Sequence, residues 1–487
     1  MYLPARMATT PVSAAPLAAT ATTRSYAGPM VLMTLLFLLF GAVTNFNDVL
    51  MPYLKDVCQL TDSQSSNVQL AFFGAYFLMS LPAGWVLERL GYKNGIVVGL
   101  LVMAAGALLF VPAANGRTFG LFLLALAVLG AGITLLQVAA NPYVSILGPA
   151  RRAAARVSIV GVANNFGGSL SPLVGGILLF GGSATLAARL KALPLAERLN
   201  QEALLVKTPY LGLAAFLAVL AGVFFLLRLP EIEGMAPDAE PATAAAGEEV
   251  RGAEWDGDGK LTITHRTSAL QYPHLLLGVL AIFLYVGVEV GLGSFLIRYG
   301  QSQGIAQLSP FTQSLVRALN VATNYAAELF GQHVAPLDTS AGFTAVVGAV
   351  LVASYWFGSL VGRVLGIPAL LRLPNRLLLV GVTAAGLLLL LASVALRGEA
   401  ALWLVVLCGL CNSIMWPVIF PLAITGLGRH TKQGSSLLIM AIVGGAIIPK
   451  LIGSVATSTG SMQMAFLVPA GCYAYLLFYA LRGYRVR

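Results

Sequence analysis

The stretch NGIVVGLLVMAAGALLFVPA, residues 94–113, decides the fold of this chain. It contains no charged side chain, and about 20 apolar residues in a helix are enough to cross the hydrocarbon core of a bilayer. The whole chain has the same character, because 58% of its 487 residues are hydrophobic and only 10% are charged. Soluble domains carry roughly 25% charged residues. The sequence therefore predicts an all-α membrane protein.

Apolar windows of similar length recur along the chain, six before and six after a polar stretch. They lie at 30–53, 67–87, 94–113, 119–142, 156–181 and 209–228, and then at 273–298, 341–362, 375–396, 400–424, 435–456 and 464–482. The polar stretch, residues 229–272, holds nine acidic side chains and has no apolar face, so we predict an acidic cytoplasmic linker. We expect twelve transmembrane helices in two six-helix bundles, 30–228 and 273–487, after a disordered cytoplasmic tail at 1–29.

Basic residues indicate the orientation of these helices. If the N-terminus is inside, the short inner loops and the C-terminus hold Arg89, Lys93, Arg151, Arg152, Arg156, Arg363, Arg372, Arg376, Arg429, Lys432, Arg482, Arg485 and Arg487. The short outer loops hold only Lys55, Arg117 and Arg397. The positive-inside rule then predicts that both termini are cytoplasmic. We expect a multi-pass plasma membrane protein, located in a bacterial inner membrane.

One outer segment, residues 299–340, is longer and is predicted to be an extended periplasmic loop. Ser309-Pro310 within it is a signal for the start of a helix. Both a short helix over the outer mouth and a plain spacer fit this segment.

The two halves resemble each other. Gly167-Gly168 precedes Pro172 in the fifth span as Gly444-Gly445 precedes Pro449 in the eleventh. In the spans before them, Gln137 and Asn412 each stand five residues ahead of a proline. Parallel repeats of six helices build one large class of transporter, whose binding site lies near the midplane between the halves.

Two acidic residues, Asp48 and Glu289, fall well inside predicted spans. A carboxylate at the bilayer centre costs about 2.5 kcal/mol or more, so such residues usually face a polar cavity. Asn45 and Asp48 share one face of the first span with Gly41 and Pro52. This arrangement suits a proton carrier, although an interhelical hydrogen bond that only holds packing is the alternative.

Amides and an aromatic residue mark other spans. Gln137 and Asn141 are spaced i, i+4 in the fourth span, Asn164 lies in the fifth, and Asn412 and Trp416 are spaced i, i+4 in the tenth. Amides can bind hydroxyls and an aromatic face can pack on a sugar ring, so the set favours a cavity for a neutral polyol. The alternative is interhelical packing, in which such a bond contributes about 0.6 kcal/mol.

Other functional classes find little support. The chain has no H-E-x-x-H, nucleophile elbow or P-loop, which argues against an enzyme and against ATP-driven transport. Cys408 and Cys411 lie in an apolar helix without a second pair, so we expect no metal site and no cofactor. A passive channel would need rings of like residues, and a sensor would need a folded output domain. Lys450, in the eleventh span, either snorkels outward or pairs with a cavity carboxylate.

Several stretches resemble known transporters. GWVLERLGYK, residues 84–93, resembles the signature between the second and third spans of the major facilitator superfamily, with Glu88 where aspartate is usual. Five further stretches resemble the fucose–galactose–glucose:proton symporter family. They are NFNDVLMPYL (45–54), FFGAYFLMSLPAG (72–84), LLQVAANPYVSILGP (135–149), YVGVEVGLGSF (285–295) and NSIMWPVIFPLAITGLGRHTKQGSSLLIMAIVGGAIIP (412–449).

This resemblance implies a monomeric sugar importer that takes up H⁺ with the sugar, works by alternating access and has the lipid bilayer, not nucleic acid, as its other partner. Asp48 matches the family's proton-linked aspartate, and Asn45 and Asn164 match sugar-contacting amides. The signature assigns a conformational role to Gly84, Glu88, Arg89, Gly91 and Lys93.

Four positions bear on the substrate. Fucose transporters have a glutamate where this chain has Gln137, whereas the glucose/galactose branch has glutamine there and a glutamate matching Glu289. Fucose transporters have a glutamine where this chain has Gly161, and glycine there resembles N-acetylglucosamine-type members. The branch's glutamate near Thr425 is absent. Glucose or galactose is the expected substrate; fucose or N-acetylglucosamine, and Na⁺ as the coupling ion, remain open.

Overall fold

The computed structural model of the chain describes residues 27–60, 62–180, 193–227, 253–255, 261–263, 268–329 and 343–486. The helices before the linker are α1 (Ala27–Val57), α2 (Asp62–Asn115), α3 (Phe119–Ile146), α4 (Ala153–Phe180), α5 (Leu195–Leu205) and α6 (Lys207–Leu226). Those after it are α7 (Pro273–Ser302), α8 (Pro310–Leu329), α9 (Ala345–Arg372), α10 (Asn375–Ala395), α11 (Glu399–Asn412), α12 (Met415–Ile424), α13 (Thr431–Met440), α14 (Gly444–Thr459), α15 (Met462–Ala465) and α16 (Leu467–Phe478).

The membrane fold predicted from the sequence is confirmed. Ten segments of the described chain are long and apolar enough to cross a membrane. One of them, Leu70–Asn115, contains both the second and the third predicted span. The fifth predicted span is α4, which is not among the ten. Together these segments account for the twelve predicted spans.

Gly91 divides the long helix α2. Its backbone has φ 76° and ψ 176°, a conformation that residues with a Cβ rarely adopt. The break falls between the second and third predicted spans, where the sequence predicts a turn. A glycine at this position allows the chain to leave one membrane helix and begin the next without a longer loop.

The repeated glycines allow the same close packing in both halves. A Cβ on Gly167 would overlap the backbone of Leu38, which brings α4 against α1. A Cβ on Gly444 would overlap the backbone of Phe283, which brings α14 against α7. In each half the first helix therefore lies against the helix that carries the glycine pair, and small residues at such contacts let helix backbones approach closely.

The eighth span is longer than predicted. It was expected to end at residue 362, with Arg363 in a cytoplasmic loop, but α9 continues to Arg372 and Arg363 is only 7% exposed inside it. The hydropathy window ended at the first charge, although the residues that follow are mostly apolar. Gly362 and Gly366 pack against Ser413 and Ile414, between α11 and α12, and so hold this part of α9 in the bundle.

The outer segment, residues 299–340, contains a helix, which was one of the two alternatives that the sequence left open. α8 begins at Pro310, and the carboxylate of Glu399 accepts hydrogen bonds of 2.6 Å from both the backbone N–H and the hydroxyl of Ser309. An acidic group at a helix N-terminus satisfies donors that the helix leaves unpaired. The start of α8 is thereby fixed to α11. Residues 330–342 lie outside the described chain.

Little of the linker is described. Two short strands, β1 (Ala253–Trp255) and β2 (Leu261–Ile263), pair antiparallel, a ribbon that the sequence did not predict. The rest of 229–267 and the tail before residue 27 lie outside the described residues, so the linker and the tail remain predictions.

Candidate functional site

A polar cavity of about 210 Å³ lies between the two halves. Its polar lining comes from both of them and consists of Thr44, Tyr76, Gln137, Asn141, Asn164, Tyr285, Glu289, Arg363 and Trp416. Pockets for drug-sized ligands run to roughly 300–1,000 Å³, so this cavity suits a smaller solute. Five residues that the sequence nominated for substrate binding meet here, although they are spread over 280 positions of the chain (Gln137 to Trp416).

The wall formed by the N-terminal half presents amides. Gln137 Nε2 donates a hydrogen bond of 3.1 Å to the hydroxyl of Tyr76, and Asn141 Nδ2 donates one of 3.0 Å to the backbone carbonyl of Gln137. Gln137 and Asn164 are both half-buried at the cavity surface. This wall can donate to hydroxyl groups and accept from them, and its described residues carry no net charge.

The wall formed by the C-terminal half carries charge. Glu289 lines the cavity and interacts electrostatically with Arg363, whose side chain lies on a different helix. Tyr285, one turn before Glu289, is 1% exposed and close enough to both charged groups to interact with each. Within the described chain, however, neither the Tyr285 hydroxyl nor the Nε of Arg363 makes a hydrogen bond of ordinary geometry, although the hydroxyl lies within reach of both Glu289 and Arg363. Buried polar atoms are rarely left in this state, and both of these face the polar cavity.

Arg363 also contacts the opposite half. A Cβ on Gly161 in α4 would overlap the Nη1 atom of Arg363. The hydroxyl of Ser158, one turn earlier on α4, donates a hydrogen bond of 3.4 Å to the backbone carbonyl of Arg363. The guanidinium therefore occupies a notch that exists because residue 161 has no side chain.

Trp416 closes one side of the cavity. Its ring packs parallel to Phe420 at 5.7 Å between centroids and lies 6.4 Å from the ring of Tyr285. Its Nε1 donates a hydrogen bond of 3.4 Å to Asn141 Oδ1, which joins the C-terminal half to the N-terminal half. The indole is held in place by three neighbours and presents a fixed apolar face.

Asn412, the repeat partner of Gln137, does not line the cavity. It is fully buried, donates to the hydroxyl of Tyr355 at 2.8 Å and accepts from the hydroxyl of Tyr473 at 2.6 Å. Tyr355 in turn donates to the backbone carbonyl of Glu289 at 2.9 Å. The structure thus places Asn412 behind the cavity wall, where it supports the helix that carries Glu289.

The side chains of two nominated residues, Asn45 and Asp48, are not described by the structure. Both residues lie in α1. Thr44 and Phe40, their near neighbours on α1, do line the cavity. The roles of Asn45 and Asp48 therefore remain predictions from the sequence.

The halves meet on the side that carries the basic loops. The hydroxyl of Ser435 in α13 donates to the backbone carbonyl of Val138 at 3.1 Å. The Nζ of Lys432 lies 5.3 Å from the ring centre of Tyr92, and a Cβ on Gly84 would approach the Ser436 hydroxyl to 2.8 Å. Helix α13 thus packs directly on α2 and α3 and closes this side of the cavity.

The remaining residues of the 84–93 signature surround this contact. Arg89 lies 3.8 Å above the ring of Trp85, Lys93 lies 5.8 Å from the ring centre of Phe225, and Glu88 is exposed. The two cations therefore pack on aromatic rings within the N-terminal half, whereas Gly84 is the nominated residue that contacts the C-terminal half.

Lys450 lies apart from the polar cavity. It is exposed in α14, and with Arg298 it lines a separate open depression that includes Ser454 and Thr457. It is not among the residues that line the cavity with Glu289. The structure therefore favours an outward-directed lysine over one that pairs with a cavity carboxylate.

A larger cavity, of about 530 Å³, lies within the N-terminal half between α1, α4 and α6. Its lining is apolar side chains such as Leu38, Phe166 and Leu213, apart from the hydroxyl-bearing Tyr210. It offers almost nothing to a hydrophilic solute, so the smaller polar cavity is the candidate site.

Sequence reasoning missed Arg363, Tyr76 and Tyr285 as site residues. Arg363 was counted with the loop arginines because the window ended beside it. Tyr285 begins the stretch 285–295 that resembles the symporter family, but it was not nominated as a site residue. The sequence does contain one signal for Arg363. Apolar residues continue after it, and an arginine within such a run is also typical of a membrane helix that carries a buried cation.

Comparisons with known proteins agree with this geometry. The family model described as Major Facilitator Superfamily matches residues 32–449. The chain is 40% identical to a glucose/galactose transporter of Brucella abortus, over 95% of this chain and 96% of that protein. It is 30% identical to the L-fucose-proton symporter of Escherichia coli, over 94% and 93%. A crystal structure of the transporter FucP in the outward conformation superposes with a TM-score of 0.74 at 28% identity, over 94% and 99%.

Proposed function

This chain belongs to the major facilitator superfamily, and on that premise we propose that it imports a hexose together with a proton by alternating access. The protein carries the sugar across the membrane unchanged. Glucose or galactose is the proposed substrate, since relatives at 40% identity are named for those two sugars. We place it in the inner membrane of a bacterium, with both termini in the cytoplasm.

The cavity between the halves is the observation that carries this proposal. It combines amides from one half with a carboxylate and an indole from the other, in a volume that suits a small solute. A sugar needs both donors and acceptors for its hydroxyls and a flat apolar surface for its ring, and this cavity provides all three.

The residues divide into two roles under this proposal. Gln137 and Asn164 bind hydroxyls from the N-terminal side, while Glu289 and Trp416 bind from the C-terminal side. Asn141 supports both walls, because its amide already donates to the Gln137 carbonyl and accepts from Trp416. Asn45 contributes from α1, and Asp48 takes up and releases the coupling proton, as the family resemblance implies. Asn412 has a supporting role, because its amide is already used by two tyrosines.

The packing of the halves supports alternating access. The contacts of α13 with α2 and α3 close the side with the basic loops, so the sugar would enter from the opposite, outer side. Transport then requires that the Ser435, Ser436 and Lys432 contacts separate. Two glycines suit this movement. Gly84 permits the close contact with Ser436, and Gly91 permits the break in α2.

The experiment is uptake into proteoliposomes that contain the purified protein. Labelled glucose, galactose, fucose and N-acetylglucosamine are each offered under an inward proton gradient, an inward sodium gradient and no gradient. We expect accumulation of glucose or galactose that the proton gradient drives and that Asp48→Asn removes. Accumulation driven by sodium alone would correct the coupling ion, and equilibration without accumulation under every gradient would indicate a passive pathway.

A further inference from the structure

The Arg363 side chain is the feature of the cavity that the resemblance does not explain. Arg363 is only 7% exposed and lines the polar cavity. Its Nε atom has no hydrogen-bond partner within the described chain. A buried guanidinium without full hydrogen bonding is unfavourable unless charge and partners compensate. Glu289 supplies the charge, but the open hydrogen bond remains.

The Tyr285 hydroxyl is a second buried donor in the same state. It is 1% exposed, lines the same cavity and lacks a hydrogen-bond partner within the described chain. Two donors that make no hydrogen bond of ordinary geometry, and the carboxylate of Glu289 that lies close to both, therefore face one space. A ligand that satisfies all three must both accept and donate hydrogen bonds at neighbouring atoms.

We propose that Arg363 and Tyr285 donate to sugar hydroxyls from which Glu289 accepts, and that Arg363 thereby determines which sugar is bound. The inference rests on the proposed sugar transport and names the residues that select the sugar. A hydroxyl group both donates and accepts, so adjacent hydroxyls match this trio. Arginine presents several donors in a fixed plane, which makes its contacts more directional than those of lysine.

The carboxylate of Glu289 disfavours an acidic sugar in this site. A carboxylate on the ligand could accept from Arg363 and Tyr285, but it would stand beside the carboxylate of Glu289. Like charges at short distance in a poorly solvated cavity repel each other strongly. The site therefore selects a neutral sugar over the corresponding uronic acid.

Gly161 sets the position of the guanidinium. Any side chain at 161 would overlap Nη1 of Arg363, and the two residues belong to opposite halves. A methyl group there would push the guanidinium away from its place beside Glu289. Substrate selection is thus determined jointly by Gly161 in α4 and Arg363 in α9.

The test measures binding of glucose, galactose and their monodeoxy analogues to the purified full-length protein by isothermal titration calorimetry. Variants are Arg363→Lys, which keeps the charge, and Gly161→Ala; the control is Gly222→Ala, a glycine in α6 with no atom within 4 Å of an added Cβ. We expect both test variants to bind the preferred sugar at least roughly tenfold more weakly, or about 1.4 kcal/mol. The control is expected to bind like the wild type.

The monodeoxy analogues separate a direct contact from a structural effect. If Arg363 donates to one hydroxyl, then removal of that hydroxyl weakens binding to the wild type but causes no further loss in Arg363→Lys. Equal losses for every analogue in the wild type and in the variant would overturn the contact. Wild-type affinity in Gly161→Ala would overturn the role of the notch, and this variant remains informative even if Arg363→Lys does not fold.

A uronic acid tests the charge argument. Glucuronate is expected to bind the wild type poorly and to gain affinity relative to glucose in Glu289→Gln, which leaves Arg363 as the only charge of the trio. If the affinity for glucuronate does not rise relative to that for glucose, the inference is overturned, whereas the proposed function still stands. If the wild type binds none of the neutral sugars, the proposed function fails, and the inference that rests on it fails as well.

Discussion

Gln137 and Asn412 occupy corresponding places in the two halves but have different surroundings. Each stands five residues before a proline in the fourth span of its half. Gln137 is half-buried at the cavity surface, whereas Asn412 is fully buried between Tyr355 and Tyr473. The difference teaches that the repeat preserves the position of an amide but not its role, because the neighbouring side chains decide whether the amide is free to bind a solute.

The same contrast extends to the two walls of the cavity. The described N-terminal wall is neutral and amide-rich, and the C-terminal wall carries Glu289 and Arg363. A neutral wall can bind sugar without any change in protonation. On the other wall, the carboxylate of Glu289 interacts with the guanidinium of Arg363 and can also accept hydrogen bonds from a sugar. Proton coupling by Asp48 on α1 stays a prediction from the sequence, because the side chain of Asp48 lies outside the described part of the structure.

The largest expected effect is that of Asp48→Asn, which tests the assignment of proton coupling to the N-terminal half. An amide keeps the shape and hydrogen bonding of the carboxylate but cannot carry a proton. We expect accumulation under a pH gradient to disappear while counterflow exchange of labelled for unlabelled sugar persists. Asp256→Asn in the linker controls for the change in net charge. Continued accumulation by Asp48→Asn would assign the coupling proton to another residue.

Glu289→Gln should have the next largest effect on transport. The amide accepts hydroxyl hydrogen bonds less strongly than the carboxylate, and bonds to charged groups contribute about 1.5–3 kcal/mol. We expect the half-saturating sugar concentration to rise roughly tenfold, with the pH profile of uptake unchanged. Uptake is measured against sugar concentration at several pH values. A displaced pH profile at unchanged half-saturation would show that Glu289 shares the coupling proton with Asp48.

Gln137→Ala tests the neutral wall and should have a smaller effect. One neutral hydrogen bond contributes about 0.5–1.5 kcal/mol, so we expect the half-saturating concentration to rise by roughly two- to tenfold. Expression and thermal stability should stay close to the wild type, because the Tyr76 hydroxyl that loses its partner also faces the cavity. Wild-type affinity in this variant would mean that Gln137 is part of the packing, as Asn412 is.

Asn412→Ala should have the smallest effect on sugar affinity and a clear effect on stability. The change removes the acceptor of Tyr473 and a donor to Tyr355, and each orphaned buried group costs about 1–3 kcal/mol. We expect a lower thermal unfolding temperature in detergent and an affinity within about twofold of the wild type, because Tyr355 can still donate to Glu289. Normal stability with a large loss of affinity would place Asn412 in the site after all.

Much of the architecture could be predicted, whereas the site could be predicted only in part. Apolar windows located the spans, and the glycine pairs at 167 and 444 identified the repeat, because both signals are local in the sequence. Glu289, Gln137 and Trp416 were nominated since polar groups in membrane helices are costly. The same rule nominated Asn412, and nothing in its own segment showed that two tyrosines from other helices use its amide.

The sequence by itself therefore determined the membrane fold, the two halves and the kinds of polar groups available, since hydropathy, charge and small residues act along single helices. Only the tertiary structure decided which of those groups share a space. It moved Arg363 from a supposed loop into the cavity beside Glu289, and it set the guanidinium against Gly161 of the opposite half. The physical reason is that a cavity is defined by the packing of helices that are far apart in the chain, and no local pattern encodes which faces will meet.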